Sequence, residues 1–329
     1  MHVVIVHNSK IPVLKYGGIE RVIWYLGKVL TQRGHKVSFL VPKDSSCSFG
    51  NVIIYDPQKQ FNEQIPSSAD VVHFNMLPRE KIDKPYIFTM HGNVNDNTVL
   101  DINTVFVSQN HAARFGSSSY VYNGMDWDDY GQPDLNNERS RFHFLGDASW
   151  RIKNVKGAIQ SILRTPNEEL MVLGGKRLNF RMGFRFTPSK RIHFYGMVGG
   201  EKKLSLLNTS KGLVFPVRWH EPFGIAITES LYFGCPVFGT PYGSLPEIVQ
   251  SDVGFLSTHA GELANAIINS NAYSRKRCYE YARDVFNAEK MTDAYLLKYE
   301  KVMNGETLNE KPPQLLKIQE EKFLPWFAS

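Results

Sequence analysis

Two glutamates eight positions apart, Glu221 and Glu229, stand inside the stretch Phe215–Pro246, among residues that suit a nucleotide-binding turn. Carboxylates accept hydrogen bonds from paired hydroxyls, so one could address a ribose and the other a hexose at the two ends of a diphosphate. A nucleotide sugar combines those groups. Pro222 suits the first position of a helix, Phe223, Ile227 and Leu231 share one apolar face, and Gly234 before Pro236 ends it. The N–H groups of its first turn, around Phe223, Gly224 and Ile225, would form an anion site, and Gly224 would let a phosphate approach the backbone. Two solvated acids near a helix end are the alternative on spacing alone.

Other residues point the same way. The segment Asp147–Gly157 carries Arg151, Lys153 and Lys156, cations that could stabilise charge developing on a leaving nucleoside diphosphate; a solvated basic loop is the alternative. His91-Gly92 follows the run YIFTM at the C-terminal edge of an expected strand, where α/β proteins bind ligands. Its imidazole could donate to a sugar hydroxyl or phosphate, or serve as a hydrogen-bonded structural histidine. Gly17-Gly18 sits where the first strand feeds its helix and permits close backbone approach, although the dinucleotide pattern G-x-G-x-x-G is absent and a flexible turn is equally compatible. Asp126-Trp127-Asp128 spells D-x-D, a pattern able to hold a divalent cation through phosphates. It is frequent by chance and is set aside.

These residues need elements to position them. The apolar run 2–7, a helix from about Ile19 to Arg33 and the run HKVSFLV make an opening βαβ unit. Strand-like runs follow at Val52–Tyr55, Val71–Phe74, Pro85–Thr89 and Thr104–Ser108, with little room for full crossover helices between them. Beyond the polar segment 130–140, FHFLG at 142–146 opens a second set, with a helix from about Gly157 to Leu163, strand ends at LMVLGGK and IHFYGMV, and helix from about Ala260 to Met303.

Trp219, Glu221, Pro222, Phe223, Gly224, Glu229, Gly234, Pro236 and Val237 together resemble the retaining GT-B glycosyltransferases of family four, glycosyltransferase group 1. The resemblance extends over about residues 1–304. YGGIERV, with Tyr16, Gly17, Gly18, Glu20 and Arg21, is similar to the family's N-terminal segment, and Thr89-Met90-His91 matches its T-x-H, which faces the donor sugar. Asn123-Gly124-Met125-Asp126 is similar to the segment that enters the linker, Gly243–Val249 to G-x-x-P-E-I-V, and 290–303 to the closing helix. Lys156-Gly157 matches the family's phosphate lysine, but Asp147 occupies the usual arginine position, so Arg151 is taken as its substitute and Lys153 as the competitor.

The resemblance implies an α/β, GT-B architecture, two Rossmann-like domains facing a central cleft. Residues 1–124 would form an acceptor domain, 125–140 a linker, 141–304 a nucleotide-sugar domain, and 305–329 a tail returning to the first domain. It implies glycosyl transfer with retention, in polysaccharide, lipopolysaccharide or other glycoconjugate synthesis, by a front-face reaction. Glu221, His91, Arg151 and Lys156 would be catalytic, and Gly17, Gly18, Met197, Phe223, Gly224, Ile225 and Glu229 would bind donor, with no metal or other cofactor. A catalytically silent nucleotide-sugar-binding protein and a GT-B epimerase or phosphorylase are the alternatives.

The chain is long enough for two domains: 329 residues, 42% of them hydrophobic. No signal-like start and no membrane-length apolar run is evident, so a cytoplasmic location is expected. Cys47, Cys235 and Cys278 lack metal-ligand spacing and read as free thiols. The net charge of +6 favours anionic partners. No basic-aromatic repeat marks a nucleic-acid module, so none is expected as partner; the charge and the terminal LPWF suggest instead peripheral association with an anionic membrane.

Overall fold

The computed structural model describes residues 1–12, 17–78, 80–180 and 183–328; Tyr16 lies outside them. The chain divides into two compact units, Met1–Asp126 with Phe286–Gln319, and Trp127–Val285 with Glu320–Ser329. Each is a Rossmann-like unit built on a six-stranded parallel sheet.

In the first unit β1 (His2–Val6), β2 (Lys36–Val41), β3 (Asn51–Ile54), β4 (Val71–Phe74), β5 (Tyr86–Met90) and β6 (Thr104–Phe106) pair in the order β3-β2-β1-β4-β5-β6. Every residue of β1 and β4 is buried, including His2 and His73 among the Val, Ile and Phe that a sheet covered on both faces requires. Helix α1 (Gly18–Gln32) buries Val22, Ile23, Leu26, Val29 and Leu30 on one side. Gly27 lets it lie on β2, because a Cβ there would meet the Phe39 ring at 2.4 Å. Among the described residues no helix lies between β4 and β5, in keeping with the short crossovers expected.

Helix α10 (Ala288–Met303) belongs to this first unit, so the expected 141–304 domain ends instead at Val285. The physical reason is a backbone seam far apart in sequence. Met125 N–H donates to the Phe286 carbonyl at 3.0 Å and Ala288 N–H to the Met125 carbonyl at 2.9 Å, while a Cβ on Gly124 would meet the Asn287 carbonyl oxygen at 2.1 Å. The tail divides as well. Leu100 N–H donates to the Pro313 carbonyl at 2.8 Å and Leu315 joins the first core, whereas 320–329 belong with the second unit.

In the second unit β7 (Arg141–Leu145), β8 (Leu170–Leu173), β11 (Ile192–Phe194), β12 (Ser210–Phe215), β13 (Val237–Gly239) and β14 (Gly254–Leu256) pair in the order β11-β8-β7-β12-β13-β14. A short antiparallel hairpin, β9 (Leu178–Asn179) and β10 (Arg185–Phe186), stands apart. Helices α4 (Val155–Leu163) and α8 (Ala260–Ile268) close one core with Phe142, Phe144, Ile162, Leu263 and Ile267. The terminal LPWF packs here: Trp326 Nε1 donates to Gln160 Oε1 at 3.0 Å and Phe327 stacks on His259. Among the described residues no helix is long and apolar enough to cross a membrane.

Candidate functional site

The segment after β12 is held by a turn at Gly243-Ser244, further along the chain. Gly243 adopts φ +63°, and a Cβ on it would strike the Glu221 backbone N and O at 2.3 Å. Ser244 N–H donates to the Glu221 carbonyl at 2.9 Å, and the Ser244 hydroxyl to the Phe223 carbonyl at 2.7 Å. The strand-end segment Arg218–Gly224 is thus fixed by backbone contact.

Glu221, 6% exposed, points into a small polar shell. Its Oε2 accepts from Lys153 Nζ at 2.6 Å and from Trp219 Nε1 at 2.8 Å, and the Lys153 ammonium lies over the Phe215 and Trp219 rings at 5.3 and 4.9 Å. Sequence reasoning set Lys153 only as a competitor for phosphate. Its partner is the carboxylate, a pairing between residues 68 positions apart that no local pattern announces.

The helix that follows, α6 (Ile225–Tyr232), starts later than the sequence suggests. Pro222 lies outside it, and Gly224, at φ +86°, is the residue before its first turn. A Cβ there would meet Ile227 Cδ1 at 2.8 Å, so the left-handed turn and the packing both select glycine. The Phe223 side chain is buried in the core, so it meets no ligand, while Gly224 and the partly exposed Ile225 follow it.

Glu229 is held by partners distant in sequence. It is 2% exposed, and its Oε1 accepts from the Tyr130 hydroxyl and from Lys203 Nζ, both at 2.6 Å. Through this oxygen it ties α6 to α5 (Gly200–Asn208) and to the turn 127–130.

Arg151 and Lys156 come together in one place. Both are exposed and line a cavity of about 770 Å³ with Asn154 and Arg218. The loop is shaped by two local devices. Asp147 Oδ1 accepts from Ser149 N–H at 2.8 Å and from its hydroxyl, which gives the acid at the expected arginine position a structural task. Asn154, at φ 55°, accepts from Gly157 N–H at 3.0 Å and donates to the Pro216 carbonyl at 2.9 Å, joining this loop to the end of β12. Arg218, missed in the sequence, anchors the tail through Nε to the Leu324 carbonyl at 2.7 Å, and Phe323 lies against both Arg151 and Arg218. Burial of Arg218 lowers its pKa below the ordinary guanidinium value. Met197, after β11, is half exposed at the same C-terminal sheet edge.

In the first unit the strand ends carry a second polar group. His91 Nε2 donates to Asn75 Oδ1 at 2.8 Å, so Nδ1 presents a lone pair, and burial pushes the imidazole pKa down to about 3. His7, at the end of β1, is buried with neither ring nitrogen hydrogen-bonded among the described residues. It stands 3.8 Å from Glu20 and holds that carboxyl below its ordinary value. Gly17 and Gly18 lead into α1, where Arg21 Nε donates to the Gly17 carbonyl at 3.0 Å. His7 and Asn75 are not singled out by the sequence; a histidine directly after the apolar run Val3–Val6 is the available signal. Of the D-x-D residues, Asp126 is ion-paired with Lys28 at 2.5 Å in this unit, and Asp128 lies in a turn of the other.

Residues 127–285 match the family described as glycosyl transferases group 1. No curated protein matches the chain. The fold superposes on a glycosyltransferase involved in avilamycin A biosynthesis with TM-score 0.75 and 18% identity, over 93% of this chain and 99% of that one. It also superposes on sucrose-phosphate synthase from Thermosynechococcus elongatus, with TM-score 0.70 and 16% identity over 93% and 100% of the two chains. HepE from Anabaena, in complex with UDP-glucose, gives TM-score 0.65 and 15% identity over 91% and 99%. The architecture is GT-B.

Proposed function

Residues 127–285 match the glycosyl transferases group 1 and the fold is GT-B, and from this we propose that the protein transfers a hexosyl group from a nucleotide sugar to an acceptor hydroxyl with retention of configuration. The observation that carries this reading is Glu221, fixed beside the Gly224 turn by Lys153, Trp219 and Gly243.

The second unit takes the donor. Arg151 and Lys156 hold the diphosphate, joined by the backbone at Gly224 and Ile225, and Glu221 orients the hexose hydroxyls. As the bond from the anomeric carbon to the diphosphate oxygen breaks, the two cations stabilise the charge that gathers on the leaving group. The acceptor hydroxyl forms its bond on the same face, and its proton passes to the departing diphosphate. Met197 borders the base, and Glu229 acts through α6 as a positioning residue. In the first unit His91, neutral down to about pH 3, accepts from a substrate hydroxyl through Nδ1, with Asn75, His7 and Glu20 around it. The phosphate charge is met by side chains and backbone, so no essential metal is invoked. The product belongs to glycan or glycoconjugate synthesis.

The test is incubation with a panel of nucleotide sugars in excess chelator, following nucleoside diphosphate release and the anomeric signals of the product by NMR. Release with an axial-to-axial or equatorial-to-equatorial outcome supports the reading. Inversion, or activity that returns only on adding magnesium or manganese, overturns it.

A further inference from the structure

The segment 174–191, GGKRLNFRMGFRFTPSKR, carries six cations and no carboxylate. It contains the β9–β10 hairpin, in which Arg185 pairs with Asn179 and Phe186 with Leu178. The hairpin displays its apolar residues outward. Phe180 and Phe184 are each 72% exposed with ring centroids 5.7 Å apart, and Phe186 and Leu178 are 56% and 48% exposed. Four large apolar side chains gathered on one short hairpin are a patch, in contrast to the scattered apolar residues of an ordinary surface.

The cations beneath are arranged to keep their charge. Arg177 donates to the carbonyls of Thr187 and Ile192, Arg185 to that of Lys176, and Arg191 to those of Thr165 and Glu168. These bonds hold the loop in shape. Carbonyls carry no net charge, and among the described residues none of these arginines is ion-paired with a carboxylate, so the positive field behind the phenyl rings is uncompensated.

We propose that the β9–β10 hairpin docks the protein on an anionic lipid bilayer, with Phe180, Phe184 and Phe186 entering the headgroup boundary, the exposed Lys176 and Lys190 lying against anionic headgroups, and Arg177, Arg185 and Arg191 adding positive field behind them. Aromatic rings with basic residues behind them are the combination that an interface apolar on one side and negatively charged on the other selects. The charge argues against a second copy of this chain as occupant, since two such cationic hairpins repel. The terminal LPWF offers less apolar surface, since Trp326 is tied to Gln160 and Phe327, stacked on His259, is 46% exposed. Phe184, Arg185 and Phe186 also border the cavity lined by Arg151 and Lys156, so a docked hairpin would bring that cavity to the membrane surface; flotation reads the docking whether or not the proposed reaction holds.

Flotation with vesicles of phosphatidylcholine, alone or mixed with phosphatidylglycerol, tests it. The protein floats with the anionic vesicles at low salt, floats less as salt rises, and stays behind with phosphatidylcholine alone. The double substitution Phe180→Ser, Phe184→Ser lowers the bound fraction about tenfold or more while its circular dichroism stays that of the parent. In a Phe184→Trp variant the emission shifts to the blue on adding anionic vesicles and is quenched by brominated acyl chains. Absence of flotation with the anionic vesicles, flotation unchanged by the double substitution, or an indole that stays in water overturns the proposal. So does a dimer in sedimentation that the serine substitutions dissociate, which would assign the patch to a second copy.

Discussion

Lys153 reaches Glu221 at 2.6 Å where the two side chains are only 15% and 7% exposed, so neither charge can be removed alone without leaving the other buried. Lys153→Met should cost about 3–5 kcal/mol of stability, the usual penalty for breaking a buried pair. Adding Glu221→Gln should restore most of that stability and none of the transfer activity, because an amide no longer addresses the hexose as a carboxylate does. Denaturation and turnover measured on the two single variants and the double variant check this, and recovery of turnover in the double variant would reduce Glu221 to a structural acid. The same scale shows what a one-dimensional reading reaches. Glu221, Arg151 and Lys156 were legible as types at a spacing. Lys153 and Lys203 as carboxylate partners were not, since each contact joins segments far apart in the chain.

At the scale of elements, the Glu221 loop depends on a turn that contributes no side chain to chemistry. Gly243→Ala would place a methyl 2.3 Å from the Glu221 backbone at a φ of +63°. Left-handed strain alone costs about 1–3 kcal/mol, and the overlap adds to it. The expected outcome is a lowered melting temperature together with a loss of transfer, although every proposed catalytic group is intact; unchanged kinetics would show that the loop is held by other means. Several strands and the first helix are legible within a residue or two, Val71–Phe74 among them, because continuous apolar runs and helical periodicity are local properties, whereas α5, the β9–β10 hairpin and β14 are not read from sequence. The start of α6 was misplaced by three residues, since Pro222 favours a first turn but Gly224 takes the left-handed conformation that begins it.

For the whole molecule, each unit carries a buried histidine bridging its sheet to a helix. His73 on β4 contacts the Tyr299 hydroxyl and Thr89, both at 2.7 Å, and His143 on β7 contacts Ser210 and Ser230 at 2.6 and 2.8 Å. Burial pushes both pKa values down to about 3. An unfolded imidazole takes its proton near pH 6.5, so below that pH the unfolded chain binds more protons than the folded one. Stability is therefore whole above about pH 6.5 and falls as pH drops toward 3, by up to about 1.4 kcal/mol per unit for each histidine. Denaturant titrations from pH 7 to pH 5 should show this slope, and it should flatten in His73→Asn; a pH-independent midpoint would contradict the buried neutral state. The division of the chain was only half legible at this scale. Motif order placed the boundary near residue 125, but the return of Phe286–Gln319 to the first unit is set by the seam at Met125 and Asn287, which leaves no pattern in sequence.

The central claim, a nucleotide-sugar site in the second unit with divided duties, is tested most directly by titration calorimetry of one nucleoside diphosphate and its matching nucleotide sugar against the parent protein and three variants. The account predicts saturable binding of both ligands by the parent. Arg151→Ala and Lys156→Ala should weaken both ligands alike, by about 1–3 kcal/mol for charge-assisted hydrogen bonds. Glu221→Gln should spare the nucleoside diphosphate and weaken only the intact sugar donor. Binding of no nucleotide by the parent, or equal weakening of the bare diphosphate by Glu221→Gln, would contradict it.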